Sequence, residues 1–308
     1  MPADATFAVM GATAEVTVVG GARALLELAR GRLTDLERRW SRFVPTSEIS
    51  RLNRAQGLPV RVSSETRLLV RRALDGYAVT NGRFDPTLLG AVLRAGYVES
   101  FDRLGARPRR SVSRLVTGAH RIEVDEQAGT VRIPLGVGFD PGGIGKGLAA
   151  DLVAEELLAF GAAGVCVNVG GDVRVCGAAP DGAAWRIAVD SPWDGSAPLA
   201  ELRLHDGAVA TSSRLRRRWV DEEGAEQHHL VDPATGASAR SPVLAATAVA
   251  SLGWRAEVLA KAAFLDAAQG LDLVDRLGAA AVVVVPDGLL TSAGWPALTA
   301  APRSEATS

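Results

Sequence analysis

The sequence is short of lysine and cysteine, has no excess of either charge and contains no long apolar run. Its 34 basic and 35 acidic residues give a formal charge of −1, so no global field attracts nucleic acid or an anionic membrane. No apolar run approaches the ~18 residues of a membrane span, and the segment 1–7 carries no targeting signal. We therefore expect a cytoplasmic globular protein that binds neither nucleic acid nor membrane.

Cys166 and Cys176 are the only cysteines in the chain. The apolar residues that alternate around them predict buried positions on two adjacent strands, in a protein of a reducing compartment. Even with the four scattered histidines, these two thiols do not have the spacing of a tetrahedral zinc site. The 47% apolar composition is enough to form a substantial core.

Helical and strand periodicities both occur along the chain. Apolar residues three and four apart predict a helix over 22–40, and Ser63 or Ser64 can cap a second one that stops at Asn81-Gly82. Another helix follows Lys146, and alternation then predicts a β-hairpin over 165–175. Further predicted elements are strands at 185–189, 199–204, 208–211, 229–231, 245–251 and 280–285, and helices at 256–264 and 271–277. Because helices and strands do not strictly alternate, we predict an α+β fold.

The segment from Asp140 to Gly147, Asp-Pro-Gly-Gly-Ile-Gly-Lys-Gly, is the most informative in the chain. It places four glycines around Lys146, in a protein whose other cations are one more lysine and 32 arginines. Glycine lets backbone N–H groups approach a ligand, a following helix adds its positive end, and a compact ammonium fits where a guanidinium is too bulky. The segment predicts a phosphate site or, alternatively, a tight turn. It matches neither a Walker loop nor a dinucleotide fingerprint.

Several further motifs accompany this segment in a fixed order. They are Met-Gly-Ala-Thr-Ala-Glu-Val at 10–16, Ser-Arg-Phe at 41–43, Ser-Glu-Ile-Ser-Arg-Leu-Asn at 47–53, Gly-Arg-Phe-Asp-Pro-Thr at 82–87, Asn-Val-Gly-Gly-Asp at 168–172, Ala-Thr-Ser at 210–212 and His-Leu-Val-Asp-Pro-Ala-Thr-Gly at 229–236. As an ordered set they resemble the flavin transferases of the ApbE family, which move FMN from FAD onto a threonine or serine hydroxyl of a target protein. The resemblance spans most of the chain.

The resemblance implies a fold and a set of roles. The fold is a two-lobed α+β domain over residues 1–300, with mixed or antiparallel sheets flanked by helices, a surface loop near 100–118 and a flexible tail at 301–308. Met10, Phe43, Phe84 and Asp85 would line the flavin pocket, while Asp140, Lys146 and Thr235 would contact FAD. The carbonyl of Gly143 would face a magnesium ion. His229 would be the base that takes the proton from the acceptor hydroxyl, a task for which imidazole titrates in the right range.

Plainer interpretations of these residues stay open at this point. His229 could be an ordinary strand histidine beside His228. Asp85 and Asp172 could serve only to cap turns, as aspartate beside proline or glycine often does. Phe43 and Phe84 could be core aromatics.

The sequence departs from the family at the magnesium site. Where the family has an aspartate and a threonine four residues apart, this chain has Glu257 and Lys261. A protonated lysine has no lone pair to offer a metal. Either the Lys261 ammonium binds the FAD diphosphate in place of magnesium, with Glu257 orienting it, or the two form a helix ion pair worth only ~0.3–0.5 kcal/mol with no ligand nearby.

Three functions follow from these alternatives. The first is an FAD:protein FMN transferase, which we favour because His229 and Lys146 are retained. The second is an FAD-binding protein whose chemistry is impaired or independent of metal. The third is an FAD pyrophosphatase, in which water replaces the acceptor hydroxyl.

Overall fold

The structure, a computed structural model, describes residues 2–21, 23–104, 108, 111, 114–193 and 197–299. The predicted tail at 301–308 and part of the predicted loop at 100–118 lie outside these residues. Helices and antiparallel strands share the described chain, which confirms the predicted α+β class. None of the described helices combines the length and the apolar character needed to cross a membrane.

Seven α-helices occur in the described residues. They are α1 (Ala24–Trp40), α2 (Glu48–Arg54), α3 (Ser64–Val79), α4 (Leu89–Arg94), α5 (Gly145–Ala159), α6 (Gly253–Leu265) and α7 (Ala267–Arg276). The apolar face predicted for α1 is buried, with Leu33 and Leu36 fully inside the core. Ser63 caps α3 by accepting a hydrogen bond from the Thr66 N–H at 3.3 Å, which satisfies one of the free donors of the first turn.

The strands of the described chain form one large sheet and four small ones. They are β1 (Ala3–Val9), β2 (Ala12–Val19), β3 (Val60–Arg61), β4 (Glu123–Asp125), β5 (Thr130–Arg132), β6 (Gly164–Val169), β7 (Asp172–Gly177), β8 (Trp185–Val189), β9 (Ala200–Leu204), β10 (Gly207–Ser213), β11 (Arg218–Val220), β12 (Glu226–His228), β13 (Val231–Asp232), β14 (Ala237–Ser238), β15 (Ala245–Ala250), β16 (Ala280–Val285) and β17 (Gly288–Thr291). The large sheet has eight antiparallel strands in the order β1-β2-β6-β7-β10-β15-β16-β17. It therefore combines strands from both halves of the chain.

The two faces of the large sheet bury different layers. Ala281 and Val283 of β16 pack with residues of the helices, whereas Val282 packs with the β8–β9 hairpin, as the two-residue period of a strand requires. On the helical face, α5 lies on β6 and β7, and α6 lies on β10 and β15. Because β7 and β10 are neighbours, α5 and α6 come to lie side by side.

The predicted hairpin around the cysteines is confirmed, with β6 paired to β7. Cys176 is buried and Cys166 is half-buried, and both are free thiols. Cys166 is paired with Val175, and Cys176 with Val165. Since paired residues share a face, the two thiols lie on opposite faces of the sheet, and burial raises their pKa values to about 12 and about 11 respectively.

Two local predictions need correction. The strand predicted over 229–231 is wrong, because β12 ends at His228 and β13 begins at Val231. There the Leu230 N–H donates to Nδ1 of His228 at 3.3 Å. A side chain thus accepts the hydrogen bond that the carbonyl of a neighbouring strand would otherwise accept. Helix α2 was not predicted as a helix, although Ser47 caps it through the Ser50 N–H at 3.0 Å.

Candidate functional site

The N-terminal ends of α5 and α6 touch through two glycines. A Cβ at Gly147 would lie 2.4 Å from the carbonyl oxygen of Gly253, and a Cβ at Gly253 would lie 2.5 Å from that of Gly147. Both distances are too short for any side chain. The two helices can approach this closely only because both positions are glycine.

Each helix also caps the other with a carboxylate. Asp151 of α5 accepts hydrogen bonds from the N–H groups of Gly253 at 2.7 Å and Trp254 at 3.1 Å, which open α6. Glu257 of α6 accepts one from the Gly147 N–H of α5 at 3.0 Å. Backbone donors that the helices leave unpaired are thereby satisfied inside the protein. The contact also places the next turn of α6 beside Lys146.

Lys146 and Lys261 converge on one carboxylate oxygen. Oε1 of Glu257 lies 3.3 Å from the Lys261 ammonium and 3.7 Å from that of Lys146. The Lys146 ammonium also donates to Asp172, whose side chain is only 4% exposed. Asp172 opens β7 directly after the Gly170-Gly171 turn, so it has the predicted turn position and pairs with a site lysine as well.

Burial and mutual charge shift the pKa values of this group. Burial lowers the pKa of Lys146 to about 8, although the Glu257 carboxylate favours its charged form. Burial alone would raise the pKa of Glu257, but the two lysines reverse that effect and hold it below its ordinary value. Glu257 is therefore ionised at neutral pH.

His229 lies between β12 and β13 and faces the same cavity as the lysines. Its Nδ1 is buried and has no hydrogen-bond partner among the described residues. Burial holds its pKa well below the ordinary range, and the nearby charges of Arg217 and Lys261 lower it further. The ring is thus neutral at physiological pH and can accept a proton.

A cavity of about 690 Å³ connects these groups. That volume falls within the ~300–1,000 Å³ typical of sites for small molecules and cofactors. Its cationic end is formed by Lys146, Lys261 and Arg217. The arrangement suits an anion at that end, next to a neutral base.

Another part of the cavity wall is aromatic. The Phe43 and Tyr97 rings meet edge to face at 5.8 Å, and Trp219 extends the cluster beyond Tyr97 at 5.5 Å. The Arg42 guanidinium lies over Phe43 at 4.1 Å and over Tyr97 at 4.8 Å. The same guanidinium stands 3.6 Å from the Asp140 carboxylate. Planar ligands are favoured by such a surface.

Met10 and Asp85 lie on the cavity wall in defined backbone settings. Met10 has a positive φ of 53°, and its N–H donates to Glu37 at 2.8 Å. Asp85 accepts from the Thr87 N–H at 2.7 Å, so it caps a turn and also lines the cavity. Both interpretations of Asp85 therefore hold together. Phe84 is buried in the main core while its ring borders the cavity at Gly143.

Nine of the eleven predicted site residues line this cavity. They are Met10, Phe43, Phe84, Asp85, Asp140, Gly143, Lys146, His229 and Lys261. Glu257 lies behind the two lysines with a side chain only 3% exposed. Thr235 is exposed on the turn between β13 and β14, outside the cavity lining, so its contact with FAD stays a prediction.

Sequence reasoning missed three residues of the site. Arg42 and Tyr97 build the aromatic wall, and Arg217 adds positive charge near His229. Arg217 lies in an arginine-rich segment that alternation assigns to an exposed strand. The structure instead gives it a φ of 50° and a hydrogen bond to the Gly11 carbonyl at 3.2 Å. For Arg42, its place next to Phe43 in the Ser-Arg-Phe motif was the available signal.

The residues present do not fit a magnesium ion. Mg²⁺ takes oxygen ligands in near-octahedral geometry at about 2.0–2.1 Å. Of the two Glu257 oxygens, one accepts a backbone N–H and the other faces two ammonium groups. Within the described ranges no three His, Cys, Asp or Glu side chains group to hold a metal. The Glu257 carboxylate is thus already shared by N–H and ammonium donors, and metal binding by Gly143 and Glu257 stays a prediction.

The fold and the cavity define an α+β protein with a cavity whose wall is cationic in one part and aromatic in another. The chain belongs to the ApbE family, whose model matches residues 10–284. The FAD:protein FMN transferase of Vibrio cholerae is 28% identical over 225 residues, 70% of this chain and 65% of that protein. The one of Chlamydia trachomatis is 30% identical over 222 residues, 70% of this chain and 67% of that protein.

A solved structure supports the same membership. The crystal structure of the ApbE protein from Thermotoga maritima is 26% identical and superposes with a TM-score of 0.87, covering 98% of this chain and 100% of that one. The matched segment thus spans about two thirds of the named transferases, while the fold is shared over nearly the whole chain.

Proposed function

We propose that this protein is an FAD:protein FMN transferase. The hydroxyl oxygen of an acceptor threonine or serine forms a bond to the FMN phosphorus of FAD. The P–O bond between the two phosphates breaks, and AMP leaves with the electron pair. The hydroxyl proton passes to the imidazole of His229.

The observation that carries the proposal is the place of His229 in the wall of the cavity that Lys146 and Lys261 also line. A hydroxyl is a weak nucleophile near neutral pH, and a neutral imidazole beside it is an effective general base. His229 is kept neutral by burial and by Arg217 and Lys261. Its unpaired, buried Nδ1 is a cost in the free protein, which suits a site that is completed by its ligands.

The cationic end suits the diphosphate. Negative charge accumulates on the phosphate that leaves with AMP, and donors fixed before the reaction stabilise it best. Lys146 stands at the second position of α5, where the positive end of the helix adds to its charge. Asp140 and the Gly142-Gly143 turn border the same end. Magnesium has no step in this reaction, since Lys261 stands beside the carboxylate that would bind it.

The aromatic end suits the flavin. An isoalloxazine ring is planar and apolar on both faces, and the Phe43–Tyr97 wall under Arg42 offers a surface for stacking. We assign Met10, Phe84 and Asp85 to the same pocket because they line it. The flavin and the diphosphate would then occupy two parts of one cavity.

The direct test uses FAD and a purified protein known to carry FMN on a threonine, prepared without its flavin. After incubation and denaturation, flavin fluorescence on the acceptor is measured together with released AMP. We expect equal amounts of both products. AMP without labelled acceptor would assign the protein as an FAD pyrophosphatase, and bound flavin without either product would assign it as a binding protein.

The role of His229 is tested with His229→Asn. Loss of a general base lowers the rate about 10²–10⁴-fold, while FAD affinity should stay within a few-fold of the native value. His205→Asn is the matched control, because His205 is exposed and does not belong to the cavity lining. A native labelling rate in His229→Asn would remove the residue from the mechanism.

We also propose a reducing, cytoplasmic location. The chain has only two cysteines, and both are free thiols, the usual state in a reducing compartment. Alkylation of the denatured protein straight from cells should modify both thiols. A thiol that resists alkylation until reductant is added would contradict this location.

A further inference from the structure

We infer that the Lys261 ammonium supplies, from the chain itself, the positive charge that a divalent cation would bring to a bound diphosphate, so that FAD binding needs no metal. This inference rests on the proposed function for the identity of the ligand. It concerns the binding of the diphosphate, which can be measured without any transfer of FMN.

The position of Lys261 places it against the ligand end of the cavity. Its side chain lines the cavity one helical turn after Glu257. A Cβ at Gly143 would lie 3.0 Å from its Cε and 3.4 Å from its Cδ. The lysine stem thus lies along the glycine turn that precedes α5, and its ammonium extends to the same carboxylate as that of Lys146.

Glu257 is held independently of Lys261. Its Oε2 accepts the Gly147 N–H at 3.0 Å, and the Gly147–Gly253 contact keeps the two helices in place. The carboxylate therefore presents Oε1 to the two lysines in a fixed position. Two ammonium groups already share that oxygen, and a divalent cation placed there would face both of them at close range.

The geometry also separates this pair from an ordinary helix ion pair. An exposed (i, i+4) pair has both groups in water, whereas the side chains of Glu257 and Lys261 are 3% and 18% exposed. Burying two ammonium groups near one carboxylate is costly unless further negative charge is nearby. Arg42 and Asp140 offset each other at 3.6 Å, and of the remaining charges at this end of the cavity Lys146, Lys261 and Arg217 outnumber Glu257 and Asp172 by one. A diphosphate would supply the missing negative charge.

The experiment measures the dissociation constant of FAD by quenching of flavin fluorescence, on native protein in excess EDTA and in excess MgCl₂. We expect the two values to agree within about twofold. Lys261→Met should weaken FAD binding about tenfold to a hundredfold, the usual effect of losing a charged hydrogen bond. Riboflavin, which has no phosphate, should bind native protein and variant equally.

Arg255→Met is the matched control, because Arg255 is an exposed cation on the same helix and lies outside the main cavity. Its FAD affinity should equal that of native protein. Thermal melting of each variant confirms that it is folded, and the EDTA comparison needs no variant at all.

The outcomes separate the inference from the proposed function. FAD binding that is equal in EDTA and MgCl₂, is weakened by Lys261→Met and occurs without acceptor labelling would support the inference and reject the transferase. Labelling together with FAD binding that requires Mg²⁺ would overturn the inference and support the transferase. Unchanged FAD affinity in Lys261→Met would overturn the inference, and no FAD binding in either buffer would overturn both.

Discussion

Asp151 and Glu257 hold equivalent positions in two helices but exist in different electrostatic surroundings. Each follows a contact glycine by four residues, and each accepts backbone N–H groups from the start of the other helix. Asp151 is sealed in the protein, where its nearest cation is Arg174 at 3.4 Å. Glu257 instead faces two lysines at the wall of the cavity.

The pKa shifts of the two carboxyls run in opposite directions. Burial raises the pKa of Asp151 to about 6, although its backbone hydrogen bonds oppose the shift. The pKa of Glu257 lies below its ordinary value, because Lys146 and Lys261 overcome the effect of burial. Both carboxylates cap the neighbouring helix. Asp151 has only this structural role, whereas Glu257 also positions the two lysines of the ligand site.

The largest effect is expected from Gly147→Ala, which should disrupt the helix caps made by both Asp151 and Glu257. Its new Cβ would meet the Gly253 carbonyl oxygen, which is backbone and cannot rotate away. We expect a loss of about 3 kcal/mol in the free energy of unfolding, the upper part of the usual range for overpacking, together with loss of FAD binding as Glu257 and Lys261 move from Lys146. Urea denaturation and flavin quenching measure the two losses.

Gly31→Ala is the control for that substitution. Gly31 is also helical, lies on the exposed side of α1, and a Cβ added there would meet no atom within 4 Å. The replacement should stabilise the protein by about 1 kcal/mol through helix propensity alone. A Gly147→Ala protein as stable as Gly31→Ala would show that the helices do not need the glycine contact.

A smaller effect should appear in the pH dependence of stability. Since the pKa of Asp151 is raised from 3.8 to about 6, its protonated form adds stability that is complete below about pH 4 and is lost as pH rises through about 6. Between these limits the native protein should lose up to about 3 kcal/mol relative to Asp151→Asn, at 1.36 kcal/mol per pKa unit. Urea denaturation across this range measures the difference.

Glu257→Gln should show the opposite slope. The lowered pKa of Glu257 adds stability that is present above its ordinary value of 4.5 and is lost as pH falls through the lower folded value. The gap between native protein and Glu257→Gln should therefore widen as pH rises from the lowered folded value to about 4.5, and stay constant above it. Parallel profiles for the two variants would mean that the two carboxyls do not differ as described.

The fold and most of the site could be predicted because their signals are local. Periodicity identifies α1 and the β6–β7 hairpin, and each segment of the ordered motif set lies within a few neighbouring residues. The helix-pair contact could not be predicted in this way. Gly147 and Gly253 are distant in sequence, and a glycine four residues before a carboxylate carries no information about its partner until the topology of the sheet brings the helices together.

Features of the site that depend on contacts between distant segments were also missed by sequence reasoning. Arg217 looks like one arginine of an alternating strand, and only the backbone turn at that residue directs it to Gly11 and the cavity. His229 was predicted to lie in a strand, but its neighbour His228 accepts a hydrogen bond from the Leu230 N–H that the local sequence pattern does not reveal. Lys146 and Lys261 were both identified, whereas their shared contact with Glu257 depends on packing.

The smallest expected effect is the pH dependence of FAD binding that Lys146, one of the two lysines beside Glu257, should cause. With a pKa of about 8, Lys146 loses its charge as the solution becomes alkaline, and a diphosphate binds the charged form better. The dissociation constant of FAD should therefore rise by up to about tenfold between about pH 8 and pH 9, equivalent to about 1.4 kcal/mol. Lys146→Met should bind FAD more weakly at every pH but with a flat profile, because the titrating group is gone. If the variant kept the native slope, a group other than Lys146 would titrate between these pH values. Lys146 would then stay charged over the whole range.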